Sequence, residues 1–220
     1  MSRQQENLRV LVLSDHVHES LYSPAIRERF SGVDAVISCG DLPFPYLEYI
    51  LTLLNVPLLY VPGNHDRPMQ TADGRTIHAP EGATNIDGRL VTLRFPGCEP
   101  VTVAGLGGSM WYGGGAYQYT EREMSKRARA LEARLLWNRW LGRGGLDVFV
   151  THAPPDGIHA GQDLCHRGFR AFLGFIRRTE PRYHFHGHVH PSYGYDTDPR
   201  QYHRTEVRNV YGYEVVEIPA

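Results

Sequence analysis

This sequence predicts an α/β fold built on a parallel sheet, and two observations carry that reading. Short aliphatic runs alternate with helical patterns: RVLVLSD (9–15), DAVISCGD (34–41) and PLLYVPGNHD (57–66) are separated by SPAIRERF and PYLEYILTLLN. Strand, helix, strand, helix, strand is the pattern of parallel strands joined by helical crossovers. The second observation is where the polar residues fall. Each run ends in Asp, Asn or His, and in an open α/β sheet ligands bind outside the carboxyl ends of the strands.

The elements follow in order. RVLVLSD reads as a buried strand. SPAIRERF reads as a helix with Ser23 as N-cap and Pro24 at its first position. PYLEYILTLLN (45–55) is apolar around most of its surface and reads as a buried helix. Residues 67–88, rich in Gly, Pro and Thr, form an irregular excursion. RLVTLRF and VTVAGLGG are two further strands. GLGGSMWYGGGAYQY (105–119) holds six glycines in fifteen residues and reads as a flexible surface loop; it lacks the third glycine of a dinucleotide-binding fingerprint. The clearest helix is TEREMSKRARALEARLLWNRWL, where Thr120 and Glu123 match a capping box and Met124, Ala128, Leu131 and Leu135 form an apolar stripe. LDVFVTHAPP (146–155) is a strand ending in Thr-His, FRAFLGFIRR a helix, and RYHFHGHVH a strand running into a glycine turn. The tail EVRNVYGYEVVEI alternates like a hairpin.

Composition narrows the function. The chain has 220 residues, 41% hydrophobic and 21% charged, which fits one globular domain spanning residues 1–220. A formal net charge of −1 gives no reason to expect a nucleic-acid or membrane partner. Cys39, Cys98 and Cys165 are widely spaced and odd in number, which points to reduced thiols. The polar start MSRQQENLRV has no signal-peptide core, and no apolar run approaches a membrane span, so the cytoplasm is the expected location. Twelve histidines are the one unusual count.

Four of them, His184, His186, His188 and His190, occupy alternate positions in YHFHGHVHP. Imidazole is the commonest metal ligand, and partners of the same kind stand elsewhere. Asp15, Asp41, Asn64 with His65, and His152 each close a strand, so five stretches deliver ligand types to one sheet edge. One such Asp is as a rule a turn or cap residue; five coincidences are not. With Gly40-Asp41, GNHD (63–66), THAPP around His152 and GHVH (187–190) in this order, the chain resembles the calcineurin-like metallophosphoesterases.

That resemblance implies an αββα sandwich holding two divalent metals. It implies that Asp41 bridges both, that Asn64, His152 and His188 complete one site, and that Asp15 and His190 belong to the other. His65 is to act at the leaving group and Asp66 to orient it. Carboxylate, amide and imidazole donors suit Mn, Fe or Zn. Two such ions about 3.5–4 Å apart clamp a phosphate and generate a metal-bound hydroxide that attacks phosphorus. The implied enzyme is a hydrolase of a phosphomonoester or phosphodiester, on a small-molecule or nucleotide substrate. His186 is expected to support a ligand and His184 to be a packed strand histidine. Tyr112, Tyr117, Tyr119 and Arg67 could touch a substrate or be plain turn and surface residues; the sequence weighs the two readings equally.

The chain departs from the family at SDHVHES. The usual Asp-x-His has Val17 where the imidazole belongs. His18, in the following loop, is favoured as substitute over His16, which alternation would turn to the opposite face. The departure keeps an alternative open: a non-catalytic or weakly active metal-binding scaffold on the same fold.

Overall fold

The structure is a computed structural model that describes residues 7–71, 73–194 and 197–219. Its first half contains β1 (Asn7–Ser14), α1 (Ile26–Arg29), β2 (Ala35–Ser38), α2 (Phe44–Leu54), β3 (Leu58–Tyr60) and the short strands β4 (Met69–Gln70), β5 (Thr76–Ile77) and β6 (Thr84–Asn85). Next come β7 (Leu90–Leu93), β8 (Val101–Leu106), β9 (Ser109–Met110), β10 (Gln118–Tyr119), α3 (Glu121–Trp140) and β11 (Val148–Thr151). Last are α4 (Arg170–Thr179), β12 (Tyr183–His186), β13 (Arg200–Tyr202), β14 (Thr205–Asn209) and β15 (Gly212–Pro219).

Strand alternation explains the layers. In β1, Leu8, Val10 and Val12 face one side and Leu11 and Leu13 the other, and all five are fully buried. The first set meets Val103, Val148, Val150 and Phe185 of a second sheet. The second set meets Ile26 of α1 and Tyr46, Leu47 and Ile50 of α2. On the far side, Ala104, Leu106 and Phe149 lie under Met124, Ala128, Leu131 and Leu135 of α3 and Phe172, Phe175 and Ile176 of α4. The result is the αββα sandwich. One sheet runs β15-β1-β2-β3-β6 and the other β13-β14-β12-β11-β8-β7. The inner strands β1, β2 and β3 pair in parallel, as do β8, β11, β12 and β14. Their carboxyl ends therefore point the same way within each sheet.

Several elements match the sequence and three do not. The capping box of α3 is present: Thr120 Oγ1 accepts from Glu123 N–H at 3.3 Å and Glu123 Oε2 from Thr120 N–H at 2.8 Å. The first helix is only one turn, capped by Ala25; Ser23 and Pro24 form the tighter turn that leads into it. The glycine-rich stretch after β8 is not a loose loop. Gly108 N–H donates to Pro62 O at 2.8 Å and Ser109 N–H to Tyr117 O at 3.0 Å, fastening it to β10 and to the segment after β3. The tail is not a hairpin. β14 pairs in parallel with β12, while β15 crosses to the other sheet and pairs antiparallel with β1 from Asn7↔Pro219 to Ser14↔Gly212. Alternation reveals that a strand exists, not which neighbour it chooses. Among the described residues, no helix is long and apolar enough to cross a membrane.

Candidate metal centre

The polar strand ends meet where the two sheets' carboxyl edges adjoin. Asp15 follows β1, Asp41 follows β2, Asn64 and His65 follow β3, His152 follows β11, and His188 and His190 follow β12. Asp15, Asp41, His65, His188 and His190 line one cavity of about 410 Å³, together with Tyr112, Cys165 and His166. Asn64 and His152 lie beneath it, both buried.

Backbone strain and glycine placement hold the carboxylates there. Asp15, Asp41 and His188 adopt left-handed conformations, with φ of 61°, 56° and 70°. For non-glycine residues such conformations cost of order 1–3 kcal/mol and cluster at functional sites. Two glycines let the carboxylates press against backbone. A Cβ on Gly63 would stand 2.0 Å from Asp41 Oδ1, and one on Gly187 2.2 Å from Asp15 Oδ2. Backbone donors fill the space instead: His65 N–H reaches Asp41 Oδ1 at 2.8 Å and His188 N–H reaches Asp15 Oδ2 at 2.8 Å. The glycines of GNHD and GHVH are thus required by the carboxylates of the other motifs.

His152 is the most informative side chain. It is fully buried, and its Nδ1 donates to Cys39 O at 2.8 Å. That leaves Nε2 facing two oxygens, Asn64 Oδ1 at 2.9 Å and Asp41 Oδ2 at 3.2 Å. Asn64 presents its oxygen because its amide nitrogen donates to Tyr112 Oη at 3.0 Å. A nitrogen lone pair among oxygens is repulsive unless a proton or a metal ion sits between them. Without metal the proton takes that place: burial disfavours the charge, but the Asp41 carboxylate overcomes it and pushes His152 up to about 9. Burial likewise works to raise Asp41, and the His152 charge holds its carboxyl well below the usual carboxylate range. Burial and the neighbouring His152 charge push His188 down to about 4, so its ring stays neutral, as a ligand must. Asp41, His152 and His188 offer ligand atoms within 4.8 Å of one another. The donor set fits a divalent cation.

The other corner is more open. His190 Nε2 lies 3.4 Å from Asp15 Oδ1, and the His190 side chain is 28% exposed. Val17 packs into the apolar layer around α1 and α2. His18 is turned away: its Nδ1 meets Ser20 Oγ at 2.8 Å and its ring packs edge-on against Tyr213 at 4.9 Å. His16 stacks on Tyr211 at 5.3 Å, and Tyr211 packs against His190 at 4.8 Å. The preference for His18 thus has no support in the geometry, and His16 is the one whose ring packs, through Tyr211, toward His190. Alternation misplaced His16 because the left-handed Asp15 ends the extended run before it.

Asp66 also differs from expectation. Its carboxylate accepts from Gly63 N–H at 2.8 Å. Burial, with the Asp41 charge adding to it, pushes Asp66 up to about 6. Its place is in the turn, as a clasp on the loop that carries Asn64 and His65. His184 is a packed strand histidine: buried, stacked on Phe149 at 4.8 Å and bonded to Thr151 Oγ1 at 2.8 Å. His186 bonds His159 at 2.8 Å and not a ligand. Of the three tyrosines named from sequence, Tyr112 lines the cavity, whereas Tyr119 lies under Arg127 at 4.1 Å from ring centroid to guanidinium. Tyr117 anchors the Ser109 strand through its carbonyl. Arg67 lines an adjoining groove of about 370 Å³ with Pro43, Phe44, Asp66, Pro68 and Met69, and this groove shares Asp41 and His65 with the centre.

Sequence reasoning missed Cys165, His166 and Asp163, which come from the loop between β11 and α4. Asp163 binds the His166 ring Nδ1 at 2.9 Å. The only signal was the adjacent Cys-His pair in DLCHRG.

A family model for calcineurin-like phosphoesterases matches residues 8–192. The chain is 39% identical over 67 residues to UPF0046 protein T07D4.2 of Caenorhabditis elegans, a stretch that is 28% of this chain and 16% of that relative. The chain therefore matches only a small part of that relative's length. TT1561 of Thermus thermophilus shares the fold with a TM-score of 0.56 at 16% identity, over 94% of this chain and 90% of that one. GAP50, the anchor in the inner membrane complex of Plasmodium, gives a TM-score of 0.53 at 12% identity, over 93% of this chain and 71% of that one.

Proposed function

This chain belongs to the calcineurin-like phosphoesterase family, and we propose that it hydrolyses a phosphomonoester or phosphodiester with two divalent metals. Asp41, Asn64, His152 and His188 would hold one ion, and Asp15, Asp41 and His190 the other. Manganese, iron and zinc all suit this mixture of oxygen and imidazole donors. The observation that carries the reading is the His152 ring, fixed by Cys39 so that Nε2 faces Asp41 and Asn64. Such ions supply Lewis acidity, polarising phosphoryl oxygens and making water a nucleophile near neutral pH.

The chain's own groups do the rest. Asp41, with backbone support from His65 N–H, would offset the repulsion between two bound dications. Tyr112 fixes which way the Asn64 amide points. His65, exposed at the rim of the cavity, gives a proton to the departing alkoxide. The groove beyond it, lined by Pro43, Phe44, Pro68 and Met69, takes the leaving group, and Arg67 lies along the same wall. A small-molecule or nucleotide ester with an apolar or planar leaving group suits that lining.

Metal-stripped protein should cleave no aryl phosphate or bis-aryl phosphate, and added manganese or zinc should restore cleavage. Full turnover in stripped protein sinks the reading. The apolar burial of Val17 favours a second reading, a metal-binding scaffold with little turnover. Tight metal binding without cleavage of any phosphoester would decide for it.

A further inference from the structure

A thiol and an imidazole stand on the open side of this centre: Cys165, whose Sγ pairs with the Tyr112 hydroxyl, and His166, whose ring tilts against His188 at 5.2 Å. Cys165 Sγ and ring nitrogens of His166 and His188 lie within 4.8 Å of one another. Cys165 and His166 line the same cavity as Asp15 and Asp41. The loop that carries them is fastened to the site, because His188 Nε2 donates to the Cys165 carbonyl at 2.8 Å.

A second observation is independent of that proximity. A histidine that binds a metal through one nitrogen as a rule donates its other N–H to a carboxylate or carbonyl, which fixes the tautomer and raises the ligand's basicity. His152 does this with Cys39 O, and His188 with Cys165 O. His166 does it with Asp163, whose two oxygens lie 2.9 and 3.0 Å from Nδ1. The same arrangement thus recurs at two proposed ligands and at His166; His159 also donates to a carbonyl, Asp198 O, but its other nitrogen is taken by His186. By contrast, the packed His184 bonds a hydroxyl, Thr151 Oγ1.

Zinc bonds of roughly 2.0 Å to nitrogen and 2.3 Å to sulfur place tetrahedral ligand atoms about 3.3–3.8 Å apart. The cluster would close to that size with side-chain shifts of about 1 Å. Thiolate and imidazole together favour zinc over manganese, which prefers oxygen.

We propose that Cys165 and His166 form a thiophilic arm of the metal centre that binds zinc, or cadmium in its place, beside His188. On binding, the Sγ–H bond of Cys165 breaks, an Sγ–metal bond forms, and the proton leaves to solvent. The inference rests on the metal-centre reading above, and its test separates the two.

Metal-stripped protein loaded with cobalt or cadmium should show a near-ultraviolet thiolate-to-metal charge-transfer band. Cys98→Ser should keep the band and Cys165→Ser should lose it. Asp163→Asn should weaken zinc binding by about 10–100-fold, the usual cost of losing such a supporting carboxylate. A measurement on unaltered protein guards against a misfolded variant: zinc should protect Cys165 from alkylation, read by peptide mass. Bound cobalt with no sulfur band, or alkylation at the same rate with and without zinc, overturns the arm and leaves the metal centre standing. No bound metal of any kind overturns the centre and the arm together.

Discussion

The two corners of the candidate centre are built to different standards. Around His152 every atom is committed: the ring is fully buried, Nδ1 is tied to Cys39, and Nε2 faces Asn64 and Asp41. Around His190 the ring is partly exposed, its contact with Asp15 is 3.4 Å, and the position of the usual third ligand is an apolar Val17. A corner whose tautomers and rotamers are fixed before metal arrives loses little entropy on binding. A corner that must close around its ion loses more and supplies fewer donors. The difference teaches that one metal should be structural to the site and the other exchangeable.

Asp41 is the group that the proposed function gives to both corners, so its removal should have the largest effect. Asp41→Ala should lower phosphoesterase activity to that of metal-stripped protein and cut bound metal, measured by elemental analysis. Retention of two tight equivalents would show that Asp41 bridges nothing. The next effect belongs to His65, which lines the same cavity and holds Asp41 through its backbone N–H. His65→Ala should slow hydrolysis by roughly 10²–10⁴-fold with metal content unchanged. The loss should be greatest for alkyl esters and least for nitrophenyl esters, which need little protonation. Equal losses on both would remove His65 as the proton donor.

How legible this was in the sequence follows from the kind of signal each part leaves. The parallel α/β sheet was readable because strand and helix patterns are local, whereas the sandwich came with the resemblance that the motifs carry: Val10 to Leu13 are all apolar, so the run alone does not say which face meets which layer. The candidate ligands were readable because strand ends collect at one edge of such a fold. Pairings across the fold were not. β15 departs for β1 through Gly212, and nothing in EVRNVYGYEVVEI marks the crossing. Cys165 and His166 escaped for a related reason, since a loop of no fixed period places them and only tertiary contacts bring them to His188. Asp66, which the resemblance gives the task of orienting His65, accepts from Gly63 N–H in the turn, a bond that no sequence pattern marks.

The committed corner also makes a pH prediction for metal-free protein. His152 has its folded pKa raised, from a usual 6.5 to about 9. The folded state therefore holds a proton that the unfolded chain has released between those values. Its contribution to stability is complete below pH 6.5 and is lost as pH rises through about 9. The shift corresponds to on the order of 3 kcal/mol across that window. Urea unfolding in the presence of a chelator should show the decline, and saturating zinc should flatten it, because metal replaces the proton on Nε2. A metal-free profile that stays level from pH 6.5 to 9 contradicts the charged His152.

The smallest effects should come from the open corner, and they sharpen the contrast most. Titration of stripped protein should resolve one tight and one weaker equivalent. His190→Ala should weaken only the second, by about 10–100-fold, a loss comparable to that of a support residue because the corner is already short of donors. His18→Ala should change neither equivalent, since its ring is spent on Ser20 and Tyr213. His16→Ala should act slightly, through the Tyr211 ring that it shares with His190. The order His190, then His16, then His18 is the signature of a corner in which no loop histidine replaces the missing ligand. Calorimetry in which His18→Ala weakens the second ion as strongly as His190→Ala would mean that His18 leaves Tyr213 when metal binds. The two corners would then each hold a full set of ligands, and the inequality between them would vanish.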